Sequence, residues 1–504
     1  MNTRSTNFSP TRNAAQPDFW DRPAALRRSP REDALSATST KVRPNNGVLS
    51  AAAPSVSPHD NVHDFAAARR RRELERLEEE RQIDAQQELN VDLRAAAQRA
   101  RYEQKRKRVD DRRQRVATRR AQCPACHWGL FVLTTLLALL SIPIVYSAST
   151  PVALSTNHAA DFFFWRQVVF VSAGYLLFLG VSRLDRHKTR ILVWGLYCIA
   201  LLGLLAIDLT PLGVTQHGVR RWIKLPILPP QQFSELAKIA LVGVMADFWS
   251  RAAPISQRAK WPWLVTAGLT LPMVGLVFVQ PHLSAALLLF ALPFVIAIYA
   301  GAPMRHIVGI GVPLLLCAAL VVVLCKSHAM PGLKEYQQER IAAHFAGGAN
   351  AGAQGSNYQK LQSERTLMSG GIFGRGPADS LGKQGHLPEP HTDFIFAVIG
   401  EEYGLVGALG LLLAYGAMIF FCFHIGHCAE SDFESLLCAG VGTLLAIQVT
   451  CNIGVATGML PVTGMGLPFL SYGGSGLICM MVGVAMVLGV SRQTSRSAQQ
   501  LPQN

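Results

Sequence analysis

The first 60 residues of this 504-residue chain contain no long apolar run. A secretory leader requires an apolar core of about 7–15 residues, so the sequence predicts that no leader is cleaved and that this segment stays in the cytoplasm. Ser, Pro, Asn and Ala are abundant in the segment, and it has no hydrophobic period. Such a composition cannot bury enough apolar surface to fold, so residues 1–60 are predicted to be disordered.

Glycine and proline are both absent from residues 61–122, where Arg, Glu, Ala and Gln dominate. Gly and Pro are the strongest helix breakers, so this segment is predicted to be a long, charged cytoplasmic helix. Residues 1–122 hold 26 basic and 17 acidic side chains. Because the acids are interleaved with the bases, nucleic acid is not expected as a partner. The basic cluster from Lys105 to Arg120 is expected to be attracted to anionic lipid headgroups.

Charge is scarce after residue 122, where 22 basic and 16 acidic residues are scattered between long apolar stretches. A helix needs about 20 mostly apolar residues to cross a bilayer. Ten stretches meet that requirement: 128–148, 163–182, 190–208, 233–250, 262–279, 283–301, 307–325, 394–423, 434–457 and 474–491. The sequence therefore predicts an all-α, polytopic membrane protein with about ten transmembrane helices. Its membrane domain would cover residues 123–493, followed by a cytoplasmic tail over 494–504.

Basic residues in the short loops predict how the chain is oriented in the membrane. They follow the second, fourth and sixth spans: Arg183, Arg186, Lys188, Arg190, Arg251, Arg258, Lys260 and Arg305. All fall on the side of the basic extension, so the positive-inside rule predicts cytoplasmic N- and C-termini. The loop over about 327–392 would then be external, and it is far longer than a simple connection needs to be.

Basic residues also lie in the predicted external loop between the third and fourth spans, as Arg220, Arg221 and Lys224. They indicate either a site for an anionic ligand or tolerated surface charge. Directly after this loop, Glu235 and Lys238 are i,i+3 neighbours at the start of a span and can pair. That pair either neutralises two charges near the interface, or places the lysine to meet a phosphate while the glutamate holds it.

The segment LPEPHTDFIFAVIGEE holds five titratable residues within fourteen positions at the edge of a span: Glu389, His391, Asp393, Glu401 and Glu402. Thr392 or Asp393 could simply cap the helix that begins there. Alternatively, a carboxylate in a partly desolvated pocket has a raised affinity for a proton and can act as a general base.

The segment LPVTGMGLPFLSYGGSG, residues 460–476, contains two prolines and five glycines close to membrane depth. Irregular backbone is tolerated there only where it is buried in protein or lines a cavity. The segment is therefore predicted to form a shaped wall, with the hydroxyls of Ser471 and Ser475 as candidate ligands.

Together these motifs resemble the SEDS family (shape, elongation, division and sporulation) of polytopic peptidoglycan polymerases. The matching pieces occur in family order over roughly residues 128–491 and include RRWI, QFSELAK, QPHL, SGG, LPEPHTDFIFAVIGEEYG and LPFLSYGGSG. HTDFIFAVIGEE and SYGGS are the most specific. The motif SLGK, which contains Lys383, resembles the FtsW and SpoVE branch more than RodA and favours a role in cell division.

The resemblance implies that Asp393 is the catalytic aspartate and that the substrates are two lipid II molecules on the outer face of the bacterial cytoplasmic membrane. Undecaprenyl pyrophosphate would leave with inversion of configuration. Arg221, Lys238 and Lys383 are the candidate cations for that leaving group, with a divalent metal as an alternative and no other cofactor expected. The resemblance further implies a class B penicillin-binding transpeptidase as partner, alongside other division or elongation proteins.

Three departures from the family pattern are visible. Phe233 stands where a proline is common, His282 stands where an aspartate is usual, and the loop sequence AAHFAGGANAGAQGSNYQ replaces an Asp-Pro-rich stretch. Three other functions also fit the sequence. The first is a RodA-like polymerase that acts in elongation. A lipid II flippase would use the same broken segments and intramembrane charges, and a non-catalytic scaffold would use the charged helix for docking.

Overall fold

The computed structural model describes residues 61–121, 127–216, 219–224, 229–256, 259–280, 282–309, 356–377, 387 and 389–499. The segment predicted to be disordered, 1–60, lies outside these residues, as do Lys383 and most of the predicted span 307–325. The chain divides into two units, Met1–Arg99 and Ala100–Asn504. In the extension, the predicted charged helix is present as α1 (Asn61–Ala121), and its side chains over residues 69–93 are all exposed.

The second unit is a bundle of helices from α2 onward. The helices are α2 (His127–Ser155), α3 (Phe162–Val181), α4 (Arg186–Leu209), α5 (Phe233–Ser256), α6 (Trp261–Val279), α7 (Leu283–Tyr299), α8 (Ser356–Ser369), α9 (Ile395–Cys428), α10 (Asp432–Ala456) and α11 (Gly474–Gln499). Seven of these, α2, α3, α4, α6, α9, α10 and α11, are long and apolar enough to cross a membrane. This confirms the predicted all-α, polytopic architecture.

Two more predicted spans are also helices. α7 is apolar but has only 17 residues, and α5 carries Glu235, Lys238 and Asp247 in its 24 residues. α5 packs against α4, α10, α7, α6 and α11, and it buries most of its side chains. Glycines allow this close packing: a Cβ on Gly243 would lie 2.3 Å from Val193 of α4, and one on Gly440 of α10 would lie 2.6 Å from Val242. α5 is therefore the central helix of the bundle.

The end of the bundle at which α5 finishes is held by buried ion pairs. The carboxylate of Asp247 is 3.2 Å from Arg190 Nε and accepts hydrogen bonds from Arg251 at 2.6 Å and Trp194 Nε1 at 3.0 Å. Arg186 Nε donates to Glu434 at 2.8 Å. Buried charges are stable when they are paired and hydrogen-bonded, as these are. The basic residues predicted to lie on one side therefore also join α4, α5 and α10.

The opposite end of the bundle contains the irregular segments. A short antiparallel hairpin, β1 (Gly213–Gln216) and β2 (Val219–Ile223), connects α4 to α5. The hairpin was not predicted, because these two strands of four and five residues lack a clear alternation of apolar and polar residues. It contains Arg221, and the residues around Asp393 lie at the start of α9 at this same end, where α5 begins.

Candidate functional site

Asp393 lies in a half-buried turn immediately before α9. The helix-cap alternative is wrong for this residue: Phe394 occupies the N-cap position, and no side chain caps the helix there. Thr392 Oγ1 instead donates to the carbonyl oxygen of Glu389 at 3.3 Å, within the turn.

The Asp393 turn is held from below by Asn452 of α10, whose side chain is fully buried. One Nδ2 group donates to the carbonyl oxygens of Asp393 and Met465, each at 2.9 Å. A single amide with two donors thus joins the turn to the broken segment 460–473. Sequence analysis missed Asn452, because a polar residue in an apolar run gives no indication of which distant backbone it contacts.

The broken segment runs beside the turn, as a wall of irregular backbone. Ser471 Oγ donates to the carbonyl oxygen of Thr392 at 2.6 Å and accepts from Leu467 N at 2.7 Å. Tyr472 N donates to the carbonyl oxygen of His391 at 2.8 Å. The Ser471 hydroxyl is therefore used to align two backbone segments. This use differs from the ligand role predicted for it.

Gly464 shows how closely the wall approaches the carboxylate. Its φ is +69°, and a Cβ added there would lie 3.8 Å from Asp393 Oδ2. Residues with a side chain rarely adopt this left-handed conformation, whereas glycine does so without steric cost. The backbone at Gly464 can therefore lie beside the carboxylate and leave room in front of it.

His391 is buried against aromatic rings at this site. Its ring centroid is 5.0 Å from that of Phe163 and 5.5 Å from that of Tyr472. Burial lowers the pKa of His391, and the nearby carboxylate of exposed Glu389 opposes that shift. The imidazole is thus favoured in its neutral form, two residues before Asp393.

Arg166 is a cation at the site that sequence analysis did not single out. Its guanidinium lies 4.1 Å from the centroid of the Phe162 ring and is close enough to Tyr472 to act on the pKa of that phenol. Burial raises the pKa of Tyr472, and Arg166 opposes that rise. No carboxylate among the described side chains pairs with this half-buried arginine. A signal was present, because an arginine inside a predicted span is by default a functional candidate.

The predicted Glu235–Lys238 pair forms at the start of α5. Lys238 Nζ donates to Glu235 Oε1 at 2.7 Å, with side-chain exposures of 2% and 20%. The other carboxylate oxygen of Glu235 lies 3.6 Å from where a Cβ of Gly476 would be. Ser475 Oγ accepts from the backbone N of Gln232 at 3.4 Å. These residues are therefore brought to the start of α11, directly after the broken segment.

Arg221 projects from the hairpin toward the loop between α6 and α7. Its Nε donates to the carbonyl oxygen of Gln280 at 3.0 Å. In the same region, Gln232 Nε2 is 3.3 Å from His282 Nδ1, so the histidine at the family's usual aspartate position still joins a polar network. Arg221 remains half-buried and is a second cation at this end of the bundle.

Glu401 and Glu402 are placed differently from the other candidates. Both are almost completely buried in α9. Ser369 Oγ donates to Glu401 Oε1 at 3.0 Å, and Ser147 Oγ donates to Glu402 Oε1 at 2.9 Å. These contacts join α9 to α8 and α2. Their burial favours a positioning role over direct contact with a substrate.

The described residues contain no group of three or more His, Cys, Asp or Glu side chains arranged to hold a metal ion. What the structure does place at this end of the bundle is a half-buried carboxylate, a neutral histidine and two half-buried arginines. Such a set can accept a proton from a hydroxyl and stabilise negative charge nearby.

Residues 127–496 match the sequence profile of a family described as cell cycle proteins and named for FtsW, RodA and SpoVE. The chain is 32% identical over 373 residues to a probable peptidoglycan glycosyltransferase FtsW of Enterococcus hirae. The aligned region covers 72% of this chain and 92% of that protein. It is also 32% identical over 365 residues to stage V sporulation protein E of Bacillus subtilis, covering 72% and 96%.

Solved structures give the same grouping. One solved structure belongs to a peptidoglycan synthase complex that coordinates polymerisation and crosslinking. Its TM-score is 0.59 at 33% identity, and the match covers 73% of this chain and 98% of the chain in that structure. Another is the rod shape determining protein RodA of Thermus thermophilus, with a TM-score of 0.52, 31% identity, and coverage of 73% and 96%. The match begins at residue 127, so the charged extension lies outside it.

Proposed function

Since the chain belongs to the SEDS family of FtsW, RodA and SpoVE proteins, we propose that it is a peptidoglycan glycosyltransferase that polymerises lipid II. The observation that carries the proposal is the half-buried Asp393 carboxylate, whose turn is fixed by Asn452 and Ser471. Relatives bearing the glycosyltransferase name and the peptidoglycan synthase structure support the same activity. The protein would lie in the bacterial cytoplasmic membrane with both termini cytoplasmic and Asp393 at the outer face.

The proposed reaction joins two lipid-linked disaccharides. The 4-hydroxyl oxygen of the acceptor sugar bonds to the anomeric carbon of the donor, and the bond from that carbon to the phosphate oxygen breaks. The configuration inverts, the hydroxyl proton passes to the Asp393 carboxylate, and undecaprenyl pyrophosphate leaves with the bonding electrons. General-base assistance of this kind contributes about 10²- to 10⁴-fold to a rate.

Positive charge must stabilise the pyrophosphate as it leaves. Arg166 is the strongest candidate among the described residues, because it lies beside Tyr472 at the Asp393 turn and has no carboxylate partner there. Arg221 and Lys238 are weaker candidates, because the first is bound to a backbone carbonyl and the second is buried against Glu235. Lys383 stays a prediction, since it lies outside the described residues.

We further propose that the protein acts with a class B penicillin-binding transpeptidase in septal synthesis. The match to a synthase complex that coordinates polymerisation and crosslinking supports such a partner. The matches to FtsW and SpoVE proteins support division over elongation.

The test is polymerisation of labelled lipid II by the full chain purified with its transpeptidase. Asp393→Asn should lower the rate at least about 100-fold, because the amide cannot accept the proton. Asp161→Asn is the matched control, since Asp161 is exposed at the start of α3 and should leave the rate unchanged. Equal polymer from wild type and Asp393→Asn would refute the base assignment. Lipid translocation in vesicles without polymer from any variant would instead support a flippase.

A further inference from the structure

Three large apolar side chains protrude from the last turn of α8 and from the segment that follows it. Met368 is 79% exposed, Ile372 is 61% exposed and Phe373 is 83% exposed. We call these three residues the apolar tip. Two exposed arginines, Arg365 and Arg375, flank them in the sequence. Apolar residues flanked by cations are typical of segments that lie in a membrane interface, where the cations meet lipid phosphates.

The backbone of this segment is fixed to α9 at a break in that helix. Gly404 has a left-handed conformation with φ +68°, which interrupts the helical hydrogen bonds of α9. The N–H groups of Leu405 and Val406 instead donate to the carbonyl oxygens of Gly371 and Ile372, at 3.0 and 3.2 Å. The apolar tip is therefore held in a defined place.

A second pair of hydrogen bonds runs in the opposite direction. The backbone N of Arg375 donates to the carbonyl oxygen of Glu401 at 2.9 Å, and that of Gly376 donates to Glu402 at 3.0 Å. At Gly374, a Cβ would lie 2.2 Å from the Glu402 carbonyl oxygen, so only glycine permits this approach. The segment is thus hydrogen-bonded to α9 both before and after the break at Gly404. Its apolar side chains are therefore exposed while its backbone is held in place.

The length of α9 places the break near one surface of the bilayer. The 24 residues from Leu405 to Cys428 span about 36 Å at 1.5 Å per residue, and the hydrocarbon core is about 30 Å thick. Beyond Cys428, the chain enters the ion-paired end of the bundle, where Glu430 meets Arg186. The part of α9 after Gly404 is therefore long enough to cross the membrane, with Leu405 at its other edge.

The apolar tip also continues the exposed apolar surface of α9, a helix long enough to cross the membrane. Leu405 and Val406 are 54% and 56% exposed, and farther along α9 Leu409 and Leu413 are exposed on the same strongly apolar span. Because Gly371 and Ile372 bond directly to the first two of these residues, the tip lies against the edge of that surface. A protein partner that covered the apolar tip would therefore also have to cover the adjoining exposed surface of α9.

We propose that the apolar tip inserts into the lipid bilayer at the surface that carries Asp393, with Arg365 and Arg375 contacting headgroup phosphates. The occupant of this surface is phospholipid. This contact anchors α8, which supplies Ser369 to the buried Glu401. The anchor does not depend on the polymerase assignment.

The test uses the full chain in vesicles of phosphatidylethanolamine and phosphatidylglycerol, with a benzoylphenylalanine photocrosslinker replacing Phe373. Leu413, in the middle of α9, serves as the positive control, and Leu77 of the charged helix α1 serves as the negative control. After illumination, mass spectrometry should find phospholipid adducts at position 373 in a yield at least about tenfold above that at position 77.

The experiment is repeated with the transpeptidase bound. Lipid adducts at position 373 in both samples support the proposal. Adducts to the transpeptidase in place of lipid, or a yield no higher than at position 77, would overturn it. Adducts at position 413 show in the same preparations that the bundle is folded and inserted. Labelling at Met368, the other highly exposed residue of the tip, gives an independent repeat.

Discussion

Replacing Asn452 with leucine tests how the turn that carries Asp393 is held. Leucine has the same branched shape and the same number of side-chain heavy atoms but no donor, so the change removes both hydrogen bonds of the Asn452 amide, to the carbonyl oxygens of Asp393 and Met465. The Asn452 side chain has no exposure to solvent. The turn and the broken segment then lose the side chain that joins them.

The magnitude follows from the two carbonyl groups left behind. A buried acceptor without a partner costs about 1–3 kcal/mol, so two of them should lower the free energy of unfolding by about 2–6 kcal/mol. The carbonyl of Asp393 is only partly buried, which favours the lower half of that range. A shift of the carboxylate by about 1 Å is enough to lower the rate about 100-fold.

Two measurements separate stability from positioning. Thermal melting in detergent follows the unfolding, and the initial rate of lipid II polymerisation at saturating substrate follows kcat. The matched control is Thr443→Val on the same helix, where the structure describes a buried hydroxyl with no partner, so its loss should lower neither quantity. Wild-type melting and rate in Asn452→Leu would refute the account. A lower melting temperature with an unchanged rate would show that Asn452 stabilises the fold without positioning Asp393.

Three other predictions follow from side chains near the site. Arg166→Gln should lower kcat about 100-fold if the guanidinium stabilises the leaving pyrophosphate, and Arg166→Lys should restore part of that loss. Tyr472→Phe should lower kcat far less. Equal losses of kcat in all three variants would contradict this role of Arg166. Lys238→Met should cost about 3 kcal/mol of stability by leaving the Glu235 carboxylate unpaired, and adding Glu235→Gln should restore most of it in melting experiments. Burial lowers the pKa of His391 in the folded protein. The neutral imidazole therefore contributes its full stability above the ordinary pKa of about 6.5, and this contribution is lost as the pH falls from that value toward the lower folded pKa. His391→Gln should therefore flatten the fall in melting temperature below neutral pH.

Much of the architecture could be predicted because the bilayer imposes a length and a composition on each span. Seven predicted spans correspond to long apolar helices, and the residue types of α1 correctly predicted a helix without any apolar face. The family could be predicted as well, since motifs such as HTDFIFAVIGEE and SYGGS are continuous in the chain. The Glu235–Lys238 pair was predictable for a related reason: a spacing of three places two side chains on one helical face.

The surroundings of Asp393 were decided only by the tertiary structure. Asn452 is 59 residues from Asp393 in the chain, and Ser471 is 79 residues from Thr392, so no local pattern indicates either hydrogen bond. The burial of Glu401 could likewise not be predicted. A glutamate next to an apolar span can equally be a ligand for a substrate or a hydrogen-bond partner of another helix. The sequence by itself determined the helices, the membrane and the family, because these depend on composition and on continuous motifs. Only the tertiary structure decided what holds the Asp393 turn and which cation lies near Tyr472 of the broken segment, because those contacts join segments that are distant in the chain.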